Sequence, residues 1–349
     1  MHIMSSGLEK IAGGRLELTL KKLTSNPFKS LVLGAGITIA IQSSSAMTVM
    51  LVGLVNSGIL EFGQTIGVLM GSNIGTTLTA WILSLAGIES DNFFVSLLKP
   101  SNFSPIIAFI GILLVMVAKK ERLKEIGGIC LGFAVLMFGM EMMSESMDPL
   151  SEMQEFRDLM IMFNNPLLGL LIGIVMTAVI QSSSATVGIL QALSLTGAIS
   201  YEIAFPIIMG QNIGTCVTAL ISSIGVSKNA KRVAAIHVYF NLIGTAVLLT
   251  LFCVANSIFD LAFAEKTIDP AGIAIVHSIF NLVTTALLFP FSKQLEKLAV
   301  KTVKDKKTEE KQAFIDERLL FTPAIAVSEC RNHAVNMARL SVDTIIRSI

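Results

Sequence analysis

The chain has 349 residues, of which 53% are hydrophobic and only 15% are charged. This composition excludes an ordinary soluble domain and is typical of a polytopic helical membrane protein. The net charge of +1 gives no indication of nucleic-acid binding, and no nucleic-acid partner is expected. The cysteines at positions 130, 216, 253 and 330 lie far apart, so neither a disulfide framework nor a metal site is predicted.

The chain begins with a segment that alternates apolar and charged residues, at positions 1–25. It is too polar to span a bilayer, and we predict an amphipathic helix on the membrane surface. Residues 26–164 are predicted to form a first membrane repeat. It opens with an apolar run at 27–60, split by Gln42–Ser45, whose length of roughly 34 residues exceeds the ~20 that one crossing needs. We therefore predict a re-entrant hairpin with the polar motif at its tip.

The rest of the first repeat is predicted to be three membrane crossings. The first, at 62–86, is interrupted by Gly71–Gly75, and two glycines and an asparagine at mid-membrane predict a broken helix. The other two lie at 103–118 and 126–143.

A second repeat is predicted at 165–292. Its elements are a re-entrant hairpin at 166–199, a broken crossing at 202–224, and crossings at 233–255 and 272–291. Beyond it, residues 293–312 are predicted to be a charged linker and residues 313–349 an amphipathic helical segment.

The two repeats are visible as a duplication of polar motifs. Gln42–Ser45 recurs as Gln181–Ser184 and Gly71–Thr76 recurs as Gly210–Thr215, in both cases 139 residues later. Between 34–80 and 173–219, 19 of 47 positions are identical. Polar residues retained in register within apolar sequence are costly, and they indicate a binding site shared by the two copies.

Loop charges predict the orientation in the membrane. The loops at 119–125 and 225–232 and the tail after 291 are basic, whereas the alternate loops are acidic. The positive-inside rule then predicts a multi-pass protein of the cell membrane with both termini in the cytoplasm. Three crossings per repeat make the second copy upside down. The predicted fold class is therefore all-α, with two inverted repeats that each hold a re-entrant hairpin and a broken transmembrane helix.

The polar motifs indicate ion-coupled transport of an anion. No Lys or Arg lies inside a predicted crossing, so an anion would be bound by hydroxyls, helix N-termini and co-bound cations. Glutamine, asparagine and threonine oxygens suit a monovalent cation. The alternative is that small polar residues only pack helices together, which the duplicated four-residue runs disfavour.

Two histidine–asparagine pairs also recur, as His237 with Asn241 and His277 with Asn281. A spacing of four places each pair on one helical face, and we favour a structural role in helix packing. No Gly-x-Ser-x-Gly elbow is present, so the chain is not predicted to be an enzyme.

The Gln-Ser-Ser-Ser tips, the Asn-Ile-Gly-Thr segments and the two histidine motifs together resemble the type II sodium–phosphate cotransporter family. The resemblance covers residues 4 to about 292 and implies that the tips enclose phosphate and co-transported sodium ions. The implied phosphate ligands are Gln42, Ser43, Ser44, Ser45, Ser182, Ser183 and Ser184. The implied sodium ligands are Gln42, Asn73, Thr76, Gln181, Ser182, Asn212, Thr215 and Thr218, with Thr79 a further candidate.

The same resemblance implies two features at the ends of the chain. The segment from Asp316 resembles the start of a PhoU-like helical domain, and the counterpart of the 126–143 crossing would lie before Met1. The expected partners are inorganic phosphate, sodium and the lipid bilayer, and a homodimer is among the assemblies that the sequence allows. A sodium–dicarboxylate carrier and an uncoupled anion channel stay as alternatives to sodium-coupled phosphate symport by alternating access.

Overall fold

A computed structural model describes residues 24, 26–87, 100–153, 155, 165–304 and 323–348. Helices account for nearly all of this part, which contains no β-strand beyond an isolated bridge between Ser200 and Thr267. Five of its helices are long and apolar enough to cross a membrane. The chain is an all-α polytopic membrane protein, as its composition predicts.

In the described residues, the first copy contains five helices and a short 3-10 turn. They are α1 (Pro27–Ile41), α2 (Ser44–Asn56), α3 (Phe62–Ser84) with a 3-10 turn at Leu85–Gly87, α4 (Pro100–Val117) and α5 (Glu121–Glu152).

The second copy repeats this order. Its helices are α6 (Pro166–Ile180), α7 (Ser183–Ser194), α8 (Tyr201–Gly214), α9 (Cys216–Ser222), α10 (Lys228–Phe259) and α11 (Pro270–Leu288). A 3-10 turn at Phe289–Phe291 leads into α12 (Ser292–Thr302), and α13 (Pro323–Ser348) is the last helix described.

The predicted crossings correspond to helices, with one difference in length. The spans that meet the length and composition of a membrane crossing are Phe62–Gly87, Glu121–Ser146, Tyr201–Ser222, Lys228–Phe259 and Pro270–Thr302. The crossing predicted at 103–118 is a shorter apolar helix, Asn102–Val117. The predicted surface helix at 1–25 falls almost entirely outside the described residues.

The predicted break in the first copy is absent, because α3 runs unbroken through Gly71–Thr76. Its glycines serve close packing instead. A Cβ at Gly71 would collide with the carbonyl oxygen of Leu31 on α1, and one at Gly75 would lie 2.7 Å from the Ala35 oxygen. In a membrane, small residues at this spacing let two helix backbones touch.

The second copy packs in the same way, with a small interruption. A Cβ at Gly210 would collide with the Leu170 oxygen of α6, and one at Gly214 would lie 2.8 Å from the Ile174 oxygen. The helix is interrupted at Thr215 alone, between α8 and α9, and its φ of −62° and ψ of −24° stay in the right-handed helical region. The predicted break is therefore a single residue here.

The first ten residues of the predicted charged linker are helical. Leu295 and Ala299 lie one turn apart on α12 and are buried, so this helix packs against α3 and α10. Arg232 of α10 fixes its end by donating from Nε and Nη2 to the Val303 oxygen, at 3.2 and 2.9 Å. The remainder of that predicted linker, from residue 305, lies outside the described residues.

The second arm of each hairpin packs against the other copy. Helix α2 contacts α9 and α10, while α7 contacts α3 and α5. One buried core joins Met47, Leu51 and Met70 of the first copy to Phe240 of the second. The two Gln-Ser-Ser-Ser tips are thereby held at the junction between copies.

Candidate functional site

Each hairpin turns at a glutamine with an unusual backbone. Gln42 and Gln181 end α1 and α6 in the left-handed region, with φ of 57° and 56°. Each donates its backbone N–H to a threonine carbonyl one turn earlier, Thr38 and Thr177, at 2.7 Å. A residue with a side chain rarely adopts this conformation, which costs about 1–2 kcal/mol. Its occurrence at matching positions of both copies marks the tips as strained, constrained turns.

Serines begin the second arm of each hairpin. Ser43 is the N-cap of α2, and its Oγ accepts the Ala46 N–H at 3.2 Å. Ser182 caps α7 in the same way, accepting the Ala185 N–H at 3.3 Å. The hydroxyl protons of both serines stay available as donors, as do the first N–H groups of each helix. A helix N-terminus lined by hydroxyls favours a bound anion.

The two glutamines lie in different surroundings. Gln42 is only 7% exposed, donates from Nε2 to the Ile39 oxygen at 2.7 Å, and accepts the Thr79 hydroxyl on Oε1 at 3.0 Å. Gln181, its mate in the second copy, is exposed. The first tip is therefore closed against α3, whereas the second tip is open.

A hydrogen bond joins the two copies beside the first tip. The Thr218 hydroxyl of α9 donates to Ser45 Oγ of α2 at 3.4 Å and to the Thr215 oxygen at 2.8 Å. Thr79 occupies the matching position in the first copy, but it bonds to Gln42 of its own copy instead. The predicted site residues Ser45 and Thr218 are thus brought together, as are Gln42 and Thr79.

The predicted asparagine ligands each bond through the amide nitrogen to a carbonyl oxygen of their own helix. Asn73 donates its Nδ2 to the Leu69 oxygen at 3.3 Å, and Asn212 donates to the Ile208 oxygen at 2.9 Å. Both side chains are 6% exposed. Each bond uses one of the two amide N–H groups and leaves the amide oxygen free to accept, so this oxygen could bind a cation.

The threonines nearby keep lone pairs in the same manner. Thr76 donates its hydroxyl to the Ser72 oxygen at 3.0 Å, and Thr215 donates to the Asn212 oxygen at 2.5 Å. A hydroxyl that donates to a carbonyl still offers its own oxygen to a cation. Within the described residues, no hydrogen bond joins Ser43 or Ser44 to the serines of the second tip, Ser182, Ser183 and Ser184.

Other polar residues at the hairpins were not selected from the sequence. The Thr38 hydroxyl donates to Ser72 Oγ at 2.8 Å, and Gln211, the mate of Ser72, donates to the Thr186 oxygen at 3.0 Å. Thr38 and Thr177 are identical residues 139 positions apart, and this match between the repeats could have identified them from the sequence. Gln191 carried no such signal, since its mate is Val52.

Gln191 links the second hairpin to two further helices. It is fully buried on α7 and donates from Nε2 to the Ala80 oxygen of α3 and the Pro270 oxygen of α11, both at 3.0 Å. These bonds hold the second hairpin against the first copy.

Charged groups take no part in this region. Among the described residues, no group of three or more His, Cys, Asp or Glu side chains could hold a metal ion. The buried Arg232 lies near the start of α10 and donates to Asn229 and to the Val303 oxygen at the end of α12. The tips therefore offer hydroxyls, amides and helix N-termini, as the sequence predicts.

Comparison with known proteins identifies the family. The family model described as Na+/Pi-cotransporter matches residues 1–145 and again residues 135–265, once for each copy. YqeW of Bacillus subtilis, named as uncharacterized, is 32% identical over 294 residues, covering 84% of this chain and 90% of that protein. No solved structure matches the chain.

Two further relatives have names that refer to phosphate. YjbB of Salmonella typhimurium, named as an inorganic phosphate export protein, is 24% identical over 341 residues, covering 96% of this chain but only 60% of YjbB. The sodium-dependent phosphate transport protein 2A of Rattus norvegicus is 40% identical over 96 residues, covering 26% of this chain and 15% of that protein. The matches of the family model to both copies, which carry the two tips, show that this chain belongs to the Na+/Pi-cotransporter family.

Proposed function

We propose that this chain carries inorganic phosphate across the cell membrane in symport with sodium, by alternating access between its two copies. The observation that carries the proposal is the pair of matching tips. Each has a glutamine with positive φ followed by a serine that caps a helix, and the helix that follows each tip packs on the opposite copy.

The chemistry of the tips favours phosphate as the anion. Phosphate has four oxygens that accept hydrogen bonds, and the tips offer serine hydroxyls and helix N-termini as donors. The proposed ligands are Gln42, Ser43, Ser44 and Ser45 of the first tip, with Ser182, Ser183 and Ser184 of the second.

Sodium supplies the charge that the protein lacks. A buried phosphate without a positive partner would be very unfavourable, and the tips contain neither Lys nor Arg. The proposed sodium ligands are oxygens of Gln42, Asn73, Thr76, Gln181, Ser182, Asn212, Thr215 and Thr218. The hydrogen bonds of Asn73, Asn212, Thr76 and Thr215 support this assignment, because they leave those oxygens with free lone pairs.

Alternating access is supported by the difference between the tips. Gln42 is buried and bonded to Thr79, whereas Gln181 is exposed. In a duplicated transporter, exchange of these two environments would open the site to one side and then to the other.

The direction of transport is proposed separately from the transported ions. We propose import, driven by an inward sodium gradient. Export is a second candidate, since YjbB is named for phosphate export and is similar to 96% of this chain.

The test is phosphate flux in proteoliposomes with an inward, an outward or no sodium gradient. Symport predicts that phosphate accumulates in the direction of the sodium gradient. Flux that ignores sodium would favour an uncoupled channel, and inhibition by succinate rather than arsenate would favour a dicarboxylate carrier. Phosphate retention by cells that express the chain, at low external phosphate, separates import from export.

A further inference from the structure

A second concentration of buried polar side chains lies on α10 and α11. The pattern His-x-x-x-Asn-x-x-x-Thr occurs once on each helix, as His237, Asn241 and Thr245 on α10 and His277, Asn281 and Thr285 on α11. All six side chains are at most 4% exposed. Because a spacing of four keeps residues on one face, each helix carries a buried polar stripe of the same composition.

The oxygens of these stripes lack partners. Asn241 and Asn281 donate Nδ2 to the histidine carbonyl of their own helix, at 3.0 and 2.9 Å. Their Oδ1 atoms, and the hydroxyls of Thr245, Thr284 and Thr285, are buried with no hydrogen-bond partner among the described residues. Five such oxygens left unpaired would offset a large part of a domain's stability, so a bound species is expected to fill the cluster.

The two stripes meet where α10 and α11 touch. A Cβ at Gly244 would lie 2.6 Å from Thr284 Oγ1, so this hydroxyl lies against the α10 backbone. The contact excludes a parallel arrangement of the two helices. Parallel helices in contact at this point would need their connection, residues 260–269, to span about 43 Å, beyond its extended reach of roughly 38 Å.

All five oxygens belong to residues close to this contact. Asn241 and Thr245 lie within three residues of Gly244, and Asn281 and Thr285 lie within three residues of Thr284. At the rise of an α-helix, this places them within about 4.5 Å of the contact along the helix axes.

We propose that this cluster, formed by Asn241, Thr245, Asn281, Thr284 and Thr285, binds a monovalent cation of the size of sodium together with ordered water. Amide and hydroxyl oxygens are ligands for a hard monovalent cation. The cluster contains no carboxylate, which disfavours a divalent ion. Asn241 uses its amide nitrogen on the His237 oxygen and Cys216 Sγ, and both asparagines leave the amide oxygen unpaired, which favours a cation over an anion.

The cluster also touches α9, the helix that carries the proposed sodium ligand Thr218. Asn241 Nδ2 lies 3.4 Å from Cys216 Sγ on α9, and that sulfur lies 3.5 Å from the His237 oxygen. Cys216 directly follows Thr215, a proposed sodium ligand. A cation bound here would therefore stabilise the position of α9 relative to α10. The inference goes beyond the proposed phosphate site and does not depend on the transported anion.

The test is the thermal midpoint of purified protein without phosphate, in sodium chloride and in choline chloride of equal ionic strength. The parent is expected to gain stability in sodium, and Thr284→Val to lose most of that gain. In choline Thr284→Val should be at least as stable as the parent, because it removes an unpaired buried hydroxyl. Thr284→Ser, which keeps the hydroxyl, should retain the sodium response.

Thr250→Val is the matched control, because Thr250 is exposed on α10. Its sodium response should equal that of the parent. Thr245→Val serves as a second variant on the opposite helix if Thr284→Val fails to fold. Thr215→Val removes a proposed sodium ligand outside the cluster, so this variant should keep a sodium response that the further change Thr284→Val reduces.

Either of two results would overturn the proposal. Equal thermal midpoints of the parent in sodium and choline would show that the cluster binds no sodium and is filled by water. A full sodium response in both Thr284→Val and Thr245→Val would remove the cluster from sodium binding. Failure of sodium-coupled phosphate flux would leave these measurements unaffected, so the two proposals fail separately.

Discussion

Glutamine occupies a backbone position at each tip that glycine would adopt at less cost. Gln42 and Gln181 have φ of 57° and 56°, and Asp260, at the end of α10, is the other non-glycine residue with positive φ in the described part. Strained positions of this kind persist where surrounding structure holds them, and they concentrate at binding sites. The backbone strain at Gln42 and Gln181 is therefore consistent with a role for the glutamine side chain at each tip.

Replacing the tip glutamines by glycine separates stability from function. Gln42→Gly relieves roughly 1–2 kcal/mol of backbone strain and loses a bond to Thr79 of about 0.5–1.5 kcal/mol, so little net change in thermal midpoint is expected. Phosphate binding should weaken, because a proposed ligand is gone. Calorimetric binding of phosphate measures this. Asp260→Gly is the control, since it relieves similar strain far from the tips, and phosphate binding equal to that of Asp260→Gly would contradict the prediction.

The cap serines are expected to act on phosphate directly. A hydrogen bond to a charged partner contributes about 1.5–3 kcal/mol, so Ser43→Ala and Ser182→Ala should each weaken phosphate binding roughly ten-fold or more. Ser227→Ala is a matched control, because Ser227 also caps a helix, α10, by accepting the Ala230 N–H at 3.4 Å. Each variant loses a cap worth about 0.5–2 kcal/mol of stability. Unchanged phosphate binding in both tip variants would show that the tips do not contribute to the phosphate site.

At the scale of the helices, the turns were predictable and the continuity of α3 was not. Asn26-Pro27 and Asn165-Pro166 give each hairpin an N-cap and a proline in the first turn, and the polar run after each apolar segment marks the turn. Gly71 and Gly75 give the same sequence signal whether they break a helix or let another helix approach. The neighbour that decides between these roles, α1, lies about forty residues earlier, so local sequence could not distinguish them.

The partners within the site were less predictable than its residues. The repeat register identified Ser45 and Thr218, but the bond that joins them depends on packing between copies. Gln191 was missed because its mate is Val52, and its partners Ala80 and Pro270 are backbone carbonyls on other helices. A duplicated motif identifies what the copies share, whereas the asymmetry between Gln42 and Gln181 arises only in the folded chain.

The glycine contacts between α1 and α3 give a prediction about stability. A methyl group at Gly71 collides with the rigid Leu31 backbone, so Gly71→Ala should lower the free energy of unfolding by about 1–3 kcal/mol or more. Gly36→Ala on α1 is the matched control. A Cβ there meets nothing within 4 Å, so alanine should be neutral or stabilise the helix by up to about 1 kcal/mol. Thermal midpoints in detergent measure both, and equal midpoints for the two variants would contradict this account of the glycines.

For the whole molecule, contacts between the copies link the two tips, because the second arm of each hairpin packs on helices of the opposite copy. The α2 arm of the first hairpin packs on α9 and α10, and the α7 arm of the second packs on α3. A change at one tip therefore alters contacts with helices of the opposite copy. Asn73 lies on α3 and Asn212 lies on α8, and each of these helices packs against a hairpin. Sodium bound at either asparagine would therefore act on a helix that contacts a hairpin, which provides a physical route for coupling sodium to phosphate.

Coupling between sodium and phosphate is the last prediction, and it follows from the missing fixed charge. Phosphate carries between one and two negative charges near neutral pH, and the tips hold no Lys or Arg. If sodium neutralises the bound phosphate, as we propose, each ligand should raise the affinity for the other by the same factor. Thr215→Val keeps the side-chain shape but removes a proposed sodium ligand. Its phosphate affinity should fall at low sodium and recover, at least in part, at high sodium.

The measurement is phosphate binding to purified protein across a sodium titration, with choline replacing sodium at constant ionic strength. Thr250→Val, exposed on α10, is the control and should follow the parent at every sodium concentration. A loss of phosphate affinity in Thr215→Val that persists at saturating sodium would assign Thr215 to the phosphate itself or to the fold. Sodium-independent phosphate binding by the parent would exclude coupling and favour the uncoupled channel, since a neutral site that holds phosphate without sodium needs no co-transported ion.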